Sequence, residues 1–132
     1  NNLSDNFKYL KIADVVLKIE IVSSPESRAQ GPSGRSVLRD GEGMLFVFDY
    51  PDKYSFWMKD MNFPIDIIWL REDLKVIYIK KNARPELYPE IYGPASPSQG
   101  GSNENAKYVL EVIAGFSEKN NLKEGDQVES VY

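Results

Sequence analysis

Short apolar runs separated by turn-forming residues recur along the chain. The run Val15–Ile21 alternates apolar with polar residues in its second half and is rich in β-branched side chains, so it predicts a strand. The short turn Arg71–Leu74, three of whose four residues are charged, lies between two further apolar runs, which predicts a β-hairpin. The other runs with the length and composition of strands are Met44–Phe48, Asp66–Leu70, Lys75–Lys80, Tyr108–Ile113 and Gln127–Tyr132.

Turn and helix signals complete the pattern. Turn-forming residues at 49–52 predict that Tyr54–Met58 returns as the hairpin partner of Met44–Phe48. A capping serine, a proline in the first turn and a terminal glycine predict a short helix over residues 24–30. No stretch has the length of a helix that joins parallel strands. The sequence therefore predicts an all-β fold, an antiparallel sandwich or flattened barrel with one or two short helices.

Polar and proline-rich stretches set the boundaries. Residues 1–8 are expected to form a flexible N-terminal segment, and residues 9–132 a single β domain. Prolines and a Gly-Gly-Ser-Asn piece within residues 83–104 predict a long loop. Loops of that length in a small domain are often functional.

Composition narrows the chemistry. The net charge of −4 over 132 residues argues against nucleic acid as a partner, because such a partner requires a cationic surface. The chain has no cysteine and no histidine, which excludes disulfides, thiol nucleophiles, His-ligated metals and a Ser-His-Asp triad. We therefore expect no metal and no cofactor. No apolar run approaches the roughly 20 residues that span a bilayer, so we expect no transmembrane segment.

Several motifs together resemble the DUF192 (UPF0127) family. They are RAQG at 28–31 with Arg35, GMLFVF at 43–48, FWMKD at 56–60, PIDII at 64–68, YVLEV at 108–112, AG at 114–115 and GD at 125–126. The resemblance covers roughly residues 14–131. It implies a compact β-rich domain without an established biochemical function, and it implies an extracytoplasmic location.

Two arginines bracket a glycine-containing segment. Arg28 and Arg35 have Gly31 and Gly34 between them. Guanidinium groups together with backbone amides can hold a carboxylate, phosphate or sulfate. The alternative is that both arginines make surface contacts, which contribute little to stability.

A lysine, an aspartate and two aromatic residues are further candidates. Lys59 follows an aromatic-rich run, and Asp66 opens an apolar one, where a carboxylate has to be paired. The two could form an ion pair or an acid–base pair facing a cleft, or Asp66 could bond to loop amides in a structural role. Trp57 and Tyr88 can stack on a sugar ring, unless Trp57 belongs to the core.

Carboxylates near apolar strands raise the possibility of glycoside hydrolysis. The candidates are Asp60, Asp66 and Glu111. A glycosidase needs two such acids facing each other across a cleft, and sequence spacing alone does not bring these together.

The leading hypothesis is a non-enzymatic, extracytoplasmic binding or accessory module for a small polar, anionic or saccharide ligand. Its expected ligand-binding residues are Arg28, Arg35, Trp57, Lys59, Asp66 and Tyr88. One alternative is a hydrolase that uses Asp66 with Lys59. Another is a structural or protein-interaction scaffold, which would expose an apolar patch or an open sheet edge.

Overall fold

Nine strands and two short helices make up the part of the chain that the computed structural model describes, residues 8–23, 38–58, 61–88, 90–94 and 104–131. In chain order they are β1 (Tyr9–Ile12), β2 (Val15–Val22), β3 (Glu42–Asp52), β4 (Phe56–Trp57), β5 (Ile65–Leu70), β6 (Val76–Ala83), a 3-10 helix (Pro85–Leu87), β7 (Ile91–Tyr92), β8 (Ala106–Ile113), α1 (Phe116–Lys119) and β9 (Glu129–Val131).

Seven of these strands form one sheet, in the order β6-β5-β8-β3-β2-β1-β9. The prediction of an all-β fold is confirmed. The sheet is mixed rather than antiparallel throughout, because β2 and β3 run parallel while the other neighbours are antiparallel. Two parallel strands need a crossover between them, and the long connection from residue 23 to residue 41 provides the chain for it.

The two edges of this sheet approach each other without closing. Lys75 and Gln127 form an isolated antiparallel bridge next to the edge strands β6 and β9. The amide of Val76 donates to the carbonyl of Asp126 at 2.9 Å, and the amide of Gly125 donates to the carbonyl of Val76 at 2.7 Å. The sheet is therefore strongly curled, and its two faces are distinct.

Each face of the sheet carries its own apolar core. The inner face holds side chains that converge between the two edges: Leu10, Ile12, Leu17, Ile19, Leu45, Val47, Ile68, Leu70, Val76, Tyr108, Leu110, Val112, Phe116, Leu122 and Val128. The outer face holds the set Val22, Leu38, Met44, Phe46, Met58, Ile65, Ile67, Trp69, Ile77, Ala83, Tyr92, Ala106 and Val109. Strands buried on both faces read as almost continuous apolar runs, as the sequence of β5 shows.

The small two-stranded sheet of β4 and β7 covers part of the outer face. Phe56 pairs with Tyr92, and Trp57 pairs with Ile91. The ring of Phe56 lies edge-on to Phe46, with centroids 5.1 Å apart. The predicted hairpin between residues 44–48 and 54–58 is therefore wrong, because β2 and β8 already occupy both edges of β3.

The remaining predictions of elements have mixed outcomes. The strands predicted over 15–21, 66–70, 75–80 and 108–113 are present, as is the β5–β6 hairpin. Residues 49–52, predicted as a turn, belong to β3, where the pairing with β8 shifts register between Val47 and Asp52. The predicted helix at 24–30 and residues 1–7 lie outside the described residues, as do residues 95–103 of the predicted long loop.

Candidate functional site

Asp66 lies in the middle of a network of backbone amides on the inner face. Asp66 is fully buried. Oδ2 accepts a hydrogen bond from the amide of Ser117 at 2.8 Å, and Oδ1 accepts one from the amide of Asn82 at 2.9 Å and a longer one from Gly115 at 3.4 Å. The carboxylate thus ties β5 to the end of β6 and to the start of α1. Asp66 therefore bonds to backbone amides, as in the structural role considered from the sequence, but two of the three amides belong to β6 and α1 rather than to loops.

The surroundings of Asp66 form a shallow surface depression. The depression has a volume of about 360 Å³ and is lined by Asp66, Lys81, Asn82, Ala114, Gly115 and Glu118. Lys81 Nζ and Glu118 Oε1 pair at its edge, 2.8 Å apart. The charged groups at this place therefore already have partners within the protein.

Glu111 occupies the opposite face of the same sheet. On β8 it pairs with Met44 on one side and with Ile67 on the other, and both of these belong to the outer core. Asp66 pairs with Val112, which belongs to the inner core. Successive side chains of a strand point to opposite faces, so the two carboxylates are separated by the sheet itself. The cross-cleft pair that a glycosidase needs is not formed by Asp66 and Glu111.

The Glu111 side chain is buried without a partner at one of its oxygens. The residue is 4% exposed, and Oε1 accepts no hydrogen bond from the described residues. Burial raises the pKa of this carboxyl group from 4.5 to about 8, with no charged neighbour contributing. The group is therefore mostly protonated at neutral pH, and it can donate one hydrogen bond in addition to accepting others.

Beside Glu111, on the same face, lies a second depression. It has a volume of about 140 Å³ and is lined by Lys18, Ile19, Glu20, Leu38, Glu42, Gly43 and Met44. The residue shared between this depression and the surroundings of Glu111 is Met44, whose cross-strand partner is Glu111. A buried polar group next to an open depression is the usual make-up of a small-ligand site.

The other residues predicted for the site are only partly placed. Arg28, Arg35 and Lys59 lie outside the described residues, and so does the side chain of Trp57, whose backbone pairs with Ile91 in the β4–β7 sheet. Tyr88 follows the 3-10 helix, donates its amide to the carbonyl of Pro85 at 3.1 Å and is 42% exposed. Leu87 and Ile91, on either side of it, are also exposed.

Comparisons with known proteins fit this architecture. The model of the family described as "Uncharacterized ACR, COG1430", DUF192, matches residues 8–130. The chain belongs to the DUF192 family. The resemblance noted in the sequence is thereby confirmed. No curated protein matches the chain.

Two solved structures share the fold of this DUF192 chain. A protein of unknown function from Novosphingobium aromaticivorans DSM 12444 is 30% identical, with a TM-score of 0.76 over 87% of this chain and 76% of that chain. A protein from Sinorhizobium meliloti 1021, described as a candidate transcription regulator, is 29% identical, with a TM-score of 0.79 over 92% of this chain and 90% of that chain.

The described part of this DUF192 protein holds neither a candidate metal centre nor a helix that could span a membrane. Within it, no group of three or more acidic residues, histidines or cysteines is placed to hold a metal ion. Nor does any described helix have the length and apolar character needed to cross a bilayer.

Glu111 is the residue of this site that the sequence did not place among the expected ligand-binding residues. In the sequence it was one of several acids near apolar strands. The available signal was its position inside an otherwise apolar strand, since four of its neighbours in β8 are buried hydrophobic residues: Tyr108, Val109, Leu110 and Val112. A single charge within such a run is costly and therefore points to a function or to a buried partner.

Proposed function

We propose that this DUF192 protein is a non-enzymatic binding module that holds a small polar ligand on the outer face of the sheet, at Glu111. The observation that carries the proposal is the buried Oε1 atom, which has no hydrogen-bond partner in the part of the chain that the structure describes. Leaving a buried polar atom unpaired costs about 1–3 kcal/mol, and a polar group of a ligand would remove this cost.

The location of the depression supports the same site. The 140 Å³ space next to Met44 opens one strand away from Glu111, and apolar and charged groups both line it. Met44, the cross-strand partner of Glu111, lines this space and separates it from Glu111 by one strand spacing of about 4.8 Å. The ligand could also be an anion or a saccharide. That expectation comes from the sequence alone, through the candidate residues Arg28, Arg35, Lys59 and Tyr88.

An extracytoplasmic location belongs to this proposal. The support is the family resemblance, since many similar proteins look exported or membrane-anchored. Fractionation of cells that express the natural full-length protein tests it. Recovery in the cytoplasmic fraction would contradict that part of the proposal and leave the binding site untouched.

A thermal-shift screen tests the binding proposal. The panel holds saccharides, organic acids, amines, phosphate and nucleotides. A ligand at 100 times its dissociation constant adds about 2.7 kcal/mol of stability, which a melting experiment resolves. We expect a ligand-dependent shift that Glu111→Gln abolishes and that Glu118→Gln, a matched change at an exposed carboxylate, preserves. Arg28→Ala, Arg35→Ala and Lys59→Ala then show which of the predicted cations takes part.

A hydrolase is the second candidate, and one observation favours it. The pKa of Glu111 near 8 keeps the carboxyl group protonated at neutral pH, as a general acid requires. The sequence predicted Asp66 with Lys59 for a hydrolase, and Asp66 is bonded to backbone amides, so Glu111 takes the role of the acid in this candidate. Turnover of chromogenic glycosides or esters that is lost in Glu111→Gln would establish this candidate. Binding without turnover would reject it.

A flat screen would point to the scaffold alternative. The exposed apolar side chains Leu87, Tyr88 and Ile91 are the feature that fits it. In that case Glu111→Gln would change no ligand response, and the binding proposal would be overturned.

A further inference from the structure

We propose that the ligand presents a cationic nitrogen, an ammonium or guanidinium group, to the carboxylate of Glu111. This inference rests on the proposed function, because it names the ligand class for the same site. It starts from what surrounds Glu111 on the outer face.

The immediate walls around Glu111 are apolar. Met44 and Ile67 flank it on the neighbouring strands, and Val109 precedes it by two positions on the same face of β8. All three are essentially fully buried. None of them offers a hydrogen-bond donor from its side chain. Once ionised, the carboxylate accepts hydrogen bonds only, so the ligand group that pairs with this form of Glu111 is a donor.

Beyond these apolar walls, towards the depression beside Met44, most of the charged residues on this face are acidic. Glu20 pairs with Met44 in the β2–β3 register, so Glu20 and Glu111 lie two strand spacings apart in one row across the sheet, about 10 Å between their Cα atoms. Glu42 lies on the same face of β3, two residues before Met44, and Lys18 is its partner on β2. The charged side chains among the described residues that line this depression are thus two carboxylates and one ammonium group.

The nearest described cation on the other side is already engaged. Lys80 lies in the same row, beyond Ile67, and its Nζ sits over the ring of Tyr92, 5.0 Å from the centroid. Within the described part of the chain, no ion pair joins Glu111 to a lysine or arginine. The other residues of β5 on this face are apolar and carry no charge. A ligand cation therefore supplies the charge that these described elements do not.

Binding of a cation would be coupled to loss of a proton from Glu111. The free carboxyl group is protonated at neutral pH because burial disfavours its charged form. A cation within hydrogen-bond distance favours the charged form, so the carboxyl proton passes to solvent as the ligand binds. Affinity should thus rise with pH until Glu111 is ionised in the free protein.

The test uses the whole chain with matched probes. Propylammonium and methylguanidinium are the cations, 1-propanol is the neutral probe, and propionate is the anion. We expect the cations alone to raise the melting temperature, with an affinity at least about tenfold higher at pH 9 than at pH 6. Glu111→Gln should lose the response, and Glu118→Gln should keep it. Glu111→Leu serves as a second variant if the glutamine variant is poorly folded.

A direct titration of Glu111 by carboxyl NMR completes the experiment. We expect a raised pKa in the free protein that falls when propylammonium is added. A pKa below about 5 in the free protein would overturn the inference, since a cation of the chain itself would then pair with Glu111. The sequence offers Arg28, Arg35 and Lys59 for that role.

The outcomes separate this inference from the proposed function. Binding of a neutral or anionic probe that depends on Glu111 would overturn the cationic ligand class and leave the binding module standing. A failure of every class in the full screen would overturn both.

Discussion

Asp66 and Glu111 show how alternation within a strand assigns opposite roles to similar residues. They sit on the adjacent strands β5 and β8, one register position apart, yet they face opposite sides of the sheet. Asp66 accepts hydrogen bonds from three backbone amides on its side, whereas Glu111 Oε1 has no donor among the described residues. The first carboxylate therefore joins elements of the fold, and the second is the group to which we assign the proposed ligand.

Substitution of Asp66 should weaken the whole fold. Asp66→Asn removes the charge and replaces one accepting oxygen, so that a buried amide, that of Ser117 or Asn82, loses its partner. We expect a loss of about 2–4 kcal/mol in the free energy of unfolding, measured by urea denaturation. Asp40→Asn, at an exposed turn, is the control and should behave like the wild type. Equal stability of the two variants would contradict the structural role of Asp66.

Glu111 should make stability depend on pH in a specific direction. Its pKa is about 8 in the folded protein, compared with 4.5 for an ordinary glutamate, so between these values the folded state binds the extra proton. Protonation of Glu111 therefore stabilises the folded state fully below about pH 4.5, and this contribution is lost as the pH rises towards 8. The free energy of unfolding changes by on the order of 3–5 kcal/mol over this range.

Unfolding experiments across this pH range measure the effect. We expect the free energy of unfolding of the wild type to fall relative to that of Glu111→Gln between pH 5 and pH 8. Parallel curves for the two proteins would show that Glu111 is not protonated in the folded state.

At the scale of elements, β8 is an interior strand of the sheet and β9 is an edge strand. β8 pairs with β3 on one side and with β5 on the other, whereas β9 pairs with β1 in the described part of the chain. Side chains of β8 enter both cores, but the three residues of β9 are exposed or half-buried. Local opening should therefore be much easier at β9.

Native-state hydrogen exchange tests this ranking of elements. We expect the amides of Val109 and Leu110 to exchange only through global unfolding, and those of β9 through local opening of lower free energy. The strand β1, which lies between β2 and β9, should be intermediate. Protection of β9 equal to that of β8 would contradict the ranking and would indicate that the sheet is effectively closed.

Elements also differ in how well the sequence predicts them. The strand at 15–21 was predictable because its alternation and β-branched residues are local features. The partner of β3 was not, because the choice between residues 54–58 and β8 depends on which strands hydrogen-bond to its two edges. Proximity in sequence favoured a hairpin, and burial of β3 in the middle of the sheet overrode it.

At the scale of the whole molecule, the net charge of −4 sets an expectation about nucleic acid. One structure that shares the fold is described as a candidate transcription regulator. We expect this chain to give no anisotropy change with duplex DNA at about 50 mM salt, because binding to DNA depends on cationic contacts with phosphates. A signal at about 50 mM salt that disappears at about 200 mM would contradict this expectation. The net charge, which is a property of the sequence, makes the prediction possible.

The sequence by itself determined the all-β class, most of the strands and membership of the DUF192 family, because alternation, turn residues and short motifs are local in the chain. It also singled out Asp66 as a carboxylate in apolar company. Only the tertiary structure decided that Asp66 is held by amides from β6 and α1, that Glu111 faces the other way, and that β2 and β3 run parallel. Those facts depend on strand order and register, which join residues far apart in the chain and leave no signal at any single position.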